Sequence, residues 1–241
     1  RTEGVIIACC RSPSTADGLN IFLASLPPNS SDLKRIVIMK VDLEDQFSID
    51  LLAEKIKEKY NRVDCLFNVA GVLGDGVKDP GPERSLTQID RSWLDKSMAI
   101  NLMAPLMLSK SLVPMMKVRQ SRSSNKSSSR SQSDRAKTVI ANLSARVGSI
   151  SDNGLGGWYS YRISKSALNA ATRTMAHELK RQGTWTISLH PGTTDTDLSK
   201  PFQRNVQEGR LFPVDFTVNQ LMDVIDSMDD SKSGGFFDWA G

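Results

Sequence analysis

The strongest constraint on the fold of this chain is an alternation. Short apolar runs at 5–10, 36–41, 63–67, 138–143, 186–190 and, more weakly, 235–238 are separated by longer stretches with apolar residues three to four apart. The runs are short enough for buried parallel strands, and their β-branched residues favour extended backbone. The intervening spacing, as in Leu51, Leu52 and Ile56 or Leu168, Ala171, Thr172, Met175 and Leu179, places apolar side chains on one face of a helix. Strand and helix alternating along a whole chain predict a doubly wound α/β fold, a parallel sheet with helices on both faces.

Length and composition agree with one domain over residues 1–241, since 241 residues at 39% hydrophobic content can bury one good core. No stretch approaches the roughly 20 apolar residues that span a bilayer, so no membrane partner is expected. The three cysteines, Cys9, Cys10 and Cys65, lie in apolar runs at spacings that fit neither a disulfide framework nor a metal site. Buried reduced thiols are expected, hence a cytoplasmic location or an organelle with a reducing interior. The two histidines, His177 and His190, have no Cys or carboxylate at ligand spacing, so no metal is expected. A nucleophile elbow G-x-S-x-G is absent, which argues against a serine hydrolase.

The net charge of +4 is misleading about partners. Segment 119–137 holds six Lys/Arg and one Asp, so the remainder of the chain is slightly negative. The same segment has eight serines and no large apolar side chain, and is expected to be a disordered insertion. Nucleic acid is therefore not expected as a partner of the folded part.

The chemistry-bearing pattern is Tyr161-Arg-Ile-Ser-Lys165 at the start of a helical segment. A spacing of four puts both side chains on one face. A phenol with an ordinary pKa near 10 is a poor acid or base at neutral pH, and an ammonium beside it stabilises the phenolate. Tyr161 can thus serve as a general acid/base tuned by Lys165. Y-x-x-x-K is a weak signal alone, and its surroundings decide.

Those surroundings, in order, are Asn68-Val69-Ala70-Gly71 after a strand, Asn101 inside an apolar helix, Asn142-Leu143-Ser144 ending a strand, Tyr161 with Lys165, and His190-Pro191-Gly192 ending another. This series resembles the short-chain dehydrogenase/reductase family. The stretches DNGLGGWYSYRISKSALN at 152–169 and HPGTTDTDLSKPF at 190–202 resemble its C-factor-like branch.

The resemblance implies a Rossmann fold and hydride transfer between NADP(H), or alternatively NAD(H), and a carbonyl or alcohol substrate. It implies catalytic roles for Tyr161, Lys165, Asn101 and Ser144, with Asn101 placing Lys165 through water. It implies cofactor contacts from Asn68, Ala70, Gly71, Tyr161, Lys165, Pro191, Gly192 and Thr194, and from Asp42 beside the adenine. Arg11, closing the first visible strand where an NAD enzyme usually carries an acid, favours the 2′-phosphate of NADP. The resemblance also implies a homodimer or tetramer built on the helices at 90–111 and 159–181. Trp158, Leu155 and segment 202–212 are candidates for the substrate pocket.

Two departures matter. The family's usual pair of serines is Ser144-Ala145 here, so the hydroxyl that usually contacts the substrate carbonyl is missing at its second place, and its work falls to Ser144 after a small backbone shift, to Ser149 or Ser151 from the following loop, or to Tyr161 alone. The family's first strand and T-G-x-x-x-G-x-G turn, which bind pyrophosphate at a helix N-terminus, have no counterpart before Val5. Either residue 1 is not the natural start, or this form binds cofactor poorly. Gly74-Asp75-Gly76 is no substitute, because it carries an acid where diphosphate would sit. The departures leave a second reading open, a dinucleotide-sensing or interaction protein with weak or no turnover.

Overall fold

A computed structural model describes residues 3–117 and 137–241. The basic serine-rich insertion lies outside the described residues, apart from Lys137. Two compact units are present, one ending at Asn61 and the other running from Arg62 to the C-terminus.

In the first unit, β1 (Ile6–Cys10) pairs in parallel with β2 (Ile36–Lys40), Ile6 opposite Ile36 and Cys10 opposite Lys40. Helices α1 (Asp17–Ser25) and α2 (Ser31–Arg35) lie between them, and α3 (Gln46–Lys59) follows. Ser30 caps α2 by accepting from the Leu33 amide, and Asp45 caps α3 by accepting from the Phe47 amide. The apolar spacing in α3 has the expected result, with Ile49, Leu52, Ala53 and Ile56 buried.

The second unit carries a four-stranded parallel sheet of β3 (Cys65–Asn68), β4 (Thr138–Leu143), β5 (Thr184–His190) and β8 (Phe236–Asp238), in that order. Side chains alternate across it. From β4, Ile140 packs with Met116 and Leu179 on one face. The next residue, Ala141, packs with Ile187, Leu189, Val224, Ile225 and Met228 on the other, the last three from α7 (Val214–Asp226) and the turn after it. Helices thus cover both faces, as the alternation of the sequence predicts. A short parallel pair, β6 (Thr193–Thr194) with β7 (Leu211–Phe212), was not legible in the pattern.

Helix α6 (Tyr159–Leu179) packs on β5. The other long helix is α4 (Arg91–Met98) continued through a wide π turn, Ala99–Met103, into α5 (Ala104–Leu112). The span Arg91–Met115 corrects the expectation that nothing here is long and apolar enough to cross a bilayer, since by length and composition it is. Trp93, Ser97, Asn101, Ala104 and Leu112 of this helix are nonetheless buried inside the unit.

The cysteines also depart from expectation. Cys9 and Cys65 are exposed and Cys10 is half-buried. β1–β2 form a sheet of two strands and β3 ends the four-stranded one, so an apolar run there does not ensure that a side chain is covered.

Candidate active site

The C-terminal ends of β3, β4 and β5 open onto a cleft of about 1440 Å³ in the second unit. Its wall includes Asn68, Gly71, Ser144, Tyr161, Lys165, Pro191, Gly192 and Thr194. Residues spread over more than 120 positions of sequence therefore converge, as ligand sites at strand ends do in open parallel sheets.

Tyr161 and Lys165 stand one turn apart on α6, the Lys165 ammonium 5.7 Å from the Tyr161 ring centroid. Lys165 is 3% exposed, and its Nζ donates to the Leu143 carbonyl at 2.7 Å. Burial lowers the Lys165 pKa to about 8. Burial also pushes the Tyr161 phenol up to about 12, so desolvation outweighs the lowering by Lys165 that the spacing and charge predict.

Asn101 occupies the middle of the π turn and is fully buried. Its Oδ1 accepts from the Val72 amide at 2.8 Å, and its Nδ2 donates to the Val72 carbonyl at 2.9 Å and to Ser164 Oγ at 3.0 Å. Every polar atom of a costly buried amide is thus used. A Cβ on Gly71 would meet Asn101 Oδ1 at 3.2 Å and Lys165 Nζ at 3.4 Å. Glycine is therefore what lets the chain after β3 press against both.

Asn68 Nδ2 donates to Asn142 Oδ1 at 2.8 Å across the β3–β4 register, and Asn142 Nδ2 donates to Thr172 Oγ1 at 2.8 Å. Among the described residues, Asn68 Oδ1 is buried without a partner, and so is Ser144 Oγ. Ala70 is exposed between cleft-lining Val69 and Gly71.

Beyond β5, Gly192 adopts φ +72, and a Cβ there would lie 2.7 Å from the Phe212 ring. Thr194 Oγ1 lies 3.0 Å from Thr217 Oγ1 and donates to the Pro191 carbonyl at 3.4 Å. His190 Nδ1 accepts from the Gly192 amide at 3.3 Å, and burial lowers the His190 pKa to about 4, keeping the imidazole neutral.

On the far side of Tyr161, Trp158 packs against Phe202 with ring centroids 5.1 Å apart and edge-on to Tyr161 at 6.4 Å. Trp158, Phe202 and Phe212 line the cleft as expected. Leu155 does not. It is 95% exposed, because the glycines around it leave no packing surface to hold it inward.

Arg11 and Asp42 belong to the first unit, at the ends of β1 and β2. The Arg11 guanidinium is 69% exposed and 3.9 Å from Glu44. Asp42 Oδ1 accepts from the Glu44 amide at 3.0 Å.

Sequence reasoning missed Ser164 and Thr172, which complete the Asn101 and Asn142 networks. It also missed Glu83, whose 3%-exposed carboxylate meets the start of α6. Ser164 and Thr172 sit three and eleven residues after Tyr161 on the buried side of the same helix, a placement helical periodicity offers as a signal. Glu83, in a loop, offers none.

A fold of this kind with a Tyr/Lys pair at the sheet's C-terminal edge defines an oxidoreductase that uses a nicotinamide dinucleotide. The profile of the short chain dehydrogenase family matches residues 15–207, and the chain belongs to that family. It is 32% identical over 179 residues to the C-signal of Myxococcus xanthus, covering 74% of this chain and 90% of that protein. It is 31% identical over 202 residues to 1-hydroxy-2-glutathionyl-2-methyl-3-butene dehydrogenase of Rhodococcus sp. (strain AD45), covering 84% and 72%. Among solved structures, NADPH-bound carbonyl reductase from chicken fatty liver superposes with a TM-score of 0.79 at 25% identity, covering 98% of this chain and 86% of that one. The carbonyl reductase Sniffer of D. melanogaster gives 0.78 at 27% identity, covering 98% and 86%.

Proposed function

We propose that the protein catalyses the reversible reduction of a carbonyl compound with NADP(H). The observation that carries this reading is the convergence of Tyr161, Lys165 and Gly71 on one cleft wall, with Asn101 buried behind Gly71.

The residues present suit a dinucleotide. Gly71 and Gly192 line the cleft with Tyr161 and Lys165, and Asn68 Oδ1 is, among the described residues, an unused acceptor in the same wall. In the second unit, Asn68, Ala70, Gly71, Pro191, Gly192 and Thr194 would hold the nicotinamide half; in the first unit, taken by itself, Arg11 and Asp42 have the chemistry to meet a 2′-phosphate and an adenine. When bound, the dinucleotide supplies or accepts the hydride.

Tyr161 gives the proton to the substrate's carbonyl oxygen in reduction and takes it back in oxidation. With its pKa pushed up, the phenol is protonated at neutral pH, the form needed for reduction. Lys165 donates one proton to Leu143 and keeps two for the nicotinamide ribose and for the field on Tyr161. Asn101 positions Lys165 from across Gly71. Ser144 Oγ, polar, buried and without a partner among the described residues, is the hydroxyl beside the cleft available to the substrate oxygen after a small backbone shift.

The preference for NADP over NAD rests on Arg11, an exposed guanidinium at the end of β1 suited to a 2′-phosphate. The exposed apolar residues Met103 and Ile163, on the two long helices, support self-association through them.

A continuous assay of NADPH and of NADH oxidation against a panel of aromatic aldehydes and ketones tests the proposal. Carbonyl-dependent oxidation with NADPH preferred is expected. Saturable NADPH binding without turnover of any carbonyl would favour the dinucleotide-sensing reading, which Ala145 in place of the second serine supports.

A further inference from the structure

Helix α6 carries Tyr161 in its first turn yet has no ordinary N-cap. The capping position is Trp158, in the left-handed conformation at φ 55, and its side chain caps nothing. The first amides of a helix need acceptors, and a helix that begins without them frays.

Here the acceptors come from 77 residues upstream. Both carboxylate oxygens of Glu83 accept from the Ser160 backbone amide at 3.2 Å, and Oε1 also accepts from Ser160 Oγ. The Glu83 main-chain carbonyl accepts from the Trp158 amide at 2.5 Å. Glu83 is 3% exposed and Ser160 1%, and among the described residues no cation pairs with this carboxylate. A negative charge at a helix N-terminus is favourable, and these charge-assisted bonds are the compensation for burying it.

The two anchors bracket Tyr159 and stop one residue short of Tyr161. Trp158, fixed through its amide, is the ring that lines the cleft against Phe202 and meets Tyr161 edge-on. Its carbonyl accepts from the Arg162 amide at 2.8 Å. The backbone also leaves little freedom before the helix, since Gly157 is at φ 66 and a Cβ there would lie 3.0 Å from the Glu83 carbonyl oxygen.

We propose that Glu83 is a positioning residue for the reaction: it replaces the missing cap of α6 and so fixes the height and rotation of the turn bearing Tyr161, together with the Trp158 wall of the substrate cleft. The inference rests on the proposed role of Tyr161. It differs from a plain stabilising contact because a displacement of about 1 Å in a reacting group lowers turnover by as much as ~100-fold while leaving binding intact.

The test is Glu83→Gln, which keeps the shape but removes the charge and one acceptor, read by steady-state kinetics and by amide hydrogen exchange at Ser160 and Arg162. The expected result is a kcat lowered roughly 10- to 100-fold with the KM for NADPH within about twofold, and exchange at the two amides accelerated about tenfold or more. A kcat unchanged in a variant whose melting temperature falls would overturn the proposal. Ser160→Ala, which removes only the hydroxyl's bond, should give a smaller kcat loss of the same kind. Should Glu83→Gln be insoluble, that variant decides alone, an unchanged kcat again overturning the proposal. If the wild-type protein turns over no carbonyl, the proposed function fails. The exchange experiment then still judges the clamp, because unchanged protection at Ser160 and Arg162 would refute it.

Discussion

Lys165 Nζ donates to the Leu143 carbonyl oxygen at 2.7 Å, which ties the first turns of α6 to the end of β4. The bond places a buried ammonium beside Tyr161 and gives its charge state consequences for activity and for stability.

Lys165 titrates near pH 8 in the folded protein against an ordinary value of 10.5, so the unfolded chain binds more protons between those values. Stability from this group therefore rises with pH from about 8 to 10.5, and below 8 its buried charge is a cost. Relative to Lys165→Met, the wild type should gain on the order of 2 kcal/mol between pH 8 and 9.5 in urea unfolding. Tyr161, raised from 10 to about 12, acts oppositely, lowering stability as pH rises through 10 to 12. Carbonyl reduction should decline above pH 8 as Lys165 loses its proton, which a pH profile of kcat reads directly.

Asn101→Leu removes the side-chain partner of both half-buried Val72 backbone groups and of the buried Ser164 hydroxyl. The expected loss is about 2–4 kcal/mol of unfolding free energy, together with most of the activity. Chemical denaturation and turnover of the folded fraction measure the two effects separately.

Gly192→Ala forces a side chain onto φ +72 and to 2.7 Å from the Phe212 ring. A destabilisation of about 1–3 kcal/mol is expected, with weaker NADPH binding by fluorescence titration.

Ala145→Ser restores a hydroxyl at the place where the family usually has one. With a second hydroxyl to polarise the carbonyl, kcat measured at saturating substrate should rise about tenfold or more, and Ser144→Ala should matter less in that background than alone.

Arg11→Ala should weaken NADPH binding about tenfold or more and leave NADH binding nearly unchanged, since only the former carries a 2′-phosphate. Equal losses for both dinucleotides would assign Arg11 a different role.

How legible the protein is depends on how local each signal is. The sheet strands were readable because runs such as TVIANL at 138–143 are bounded, apolar and β-branched, and β4 has those bounds. Tyr161 and Lys165 were readable because four residues are one helical turn. Leu155, Cys9 and Cys65 misled because apolar character does not report whether anything is available to cover a side chain. Glu83 was invisible for a different reason. Its partner is 77 residues away and its loop, DPGPERS, has no periodicity, so only the folded chain shows that a buried carboxylate caps the helix. The Asn68–Asn142 pair depends likewise on strand register, which no single strand carries.

The most direct test of the central claim is single-turnover oxidation of NADPH by wild type and Tyr161→Phe with one reducible aldehyde in excess. The variant retains the ring packing against Trp158 and loses only the proton donor. The account predicts NADPH binding within a few-fold of wild type and a chemical step slowed by a factor of about 100 or more. An equal rate in the two proteins would contradict it and remove Tyr161 from the chemistry.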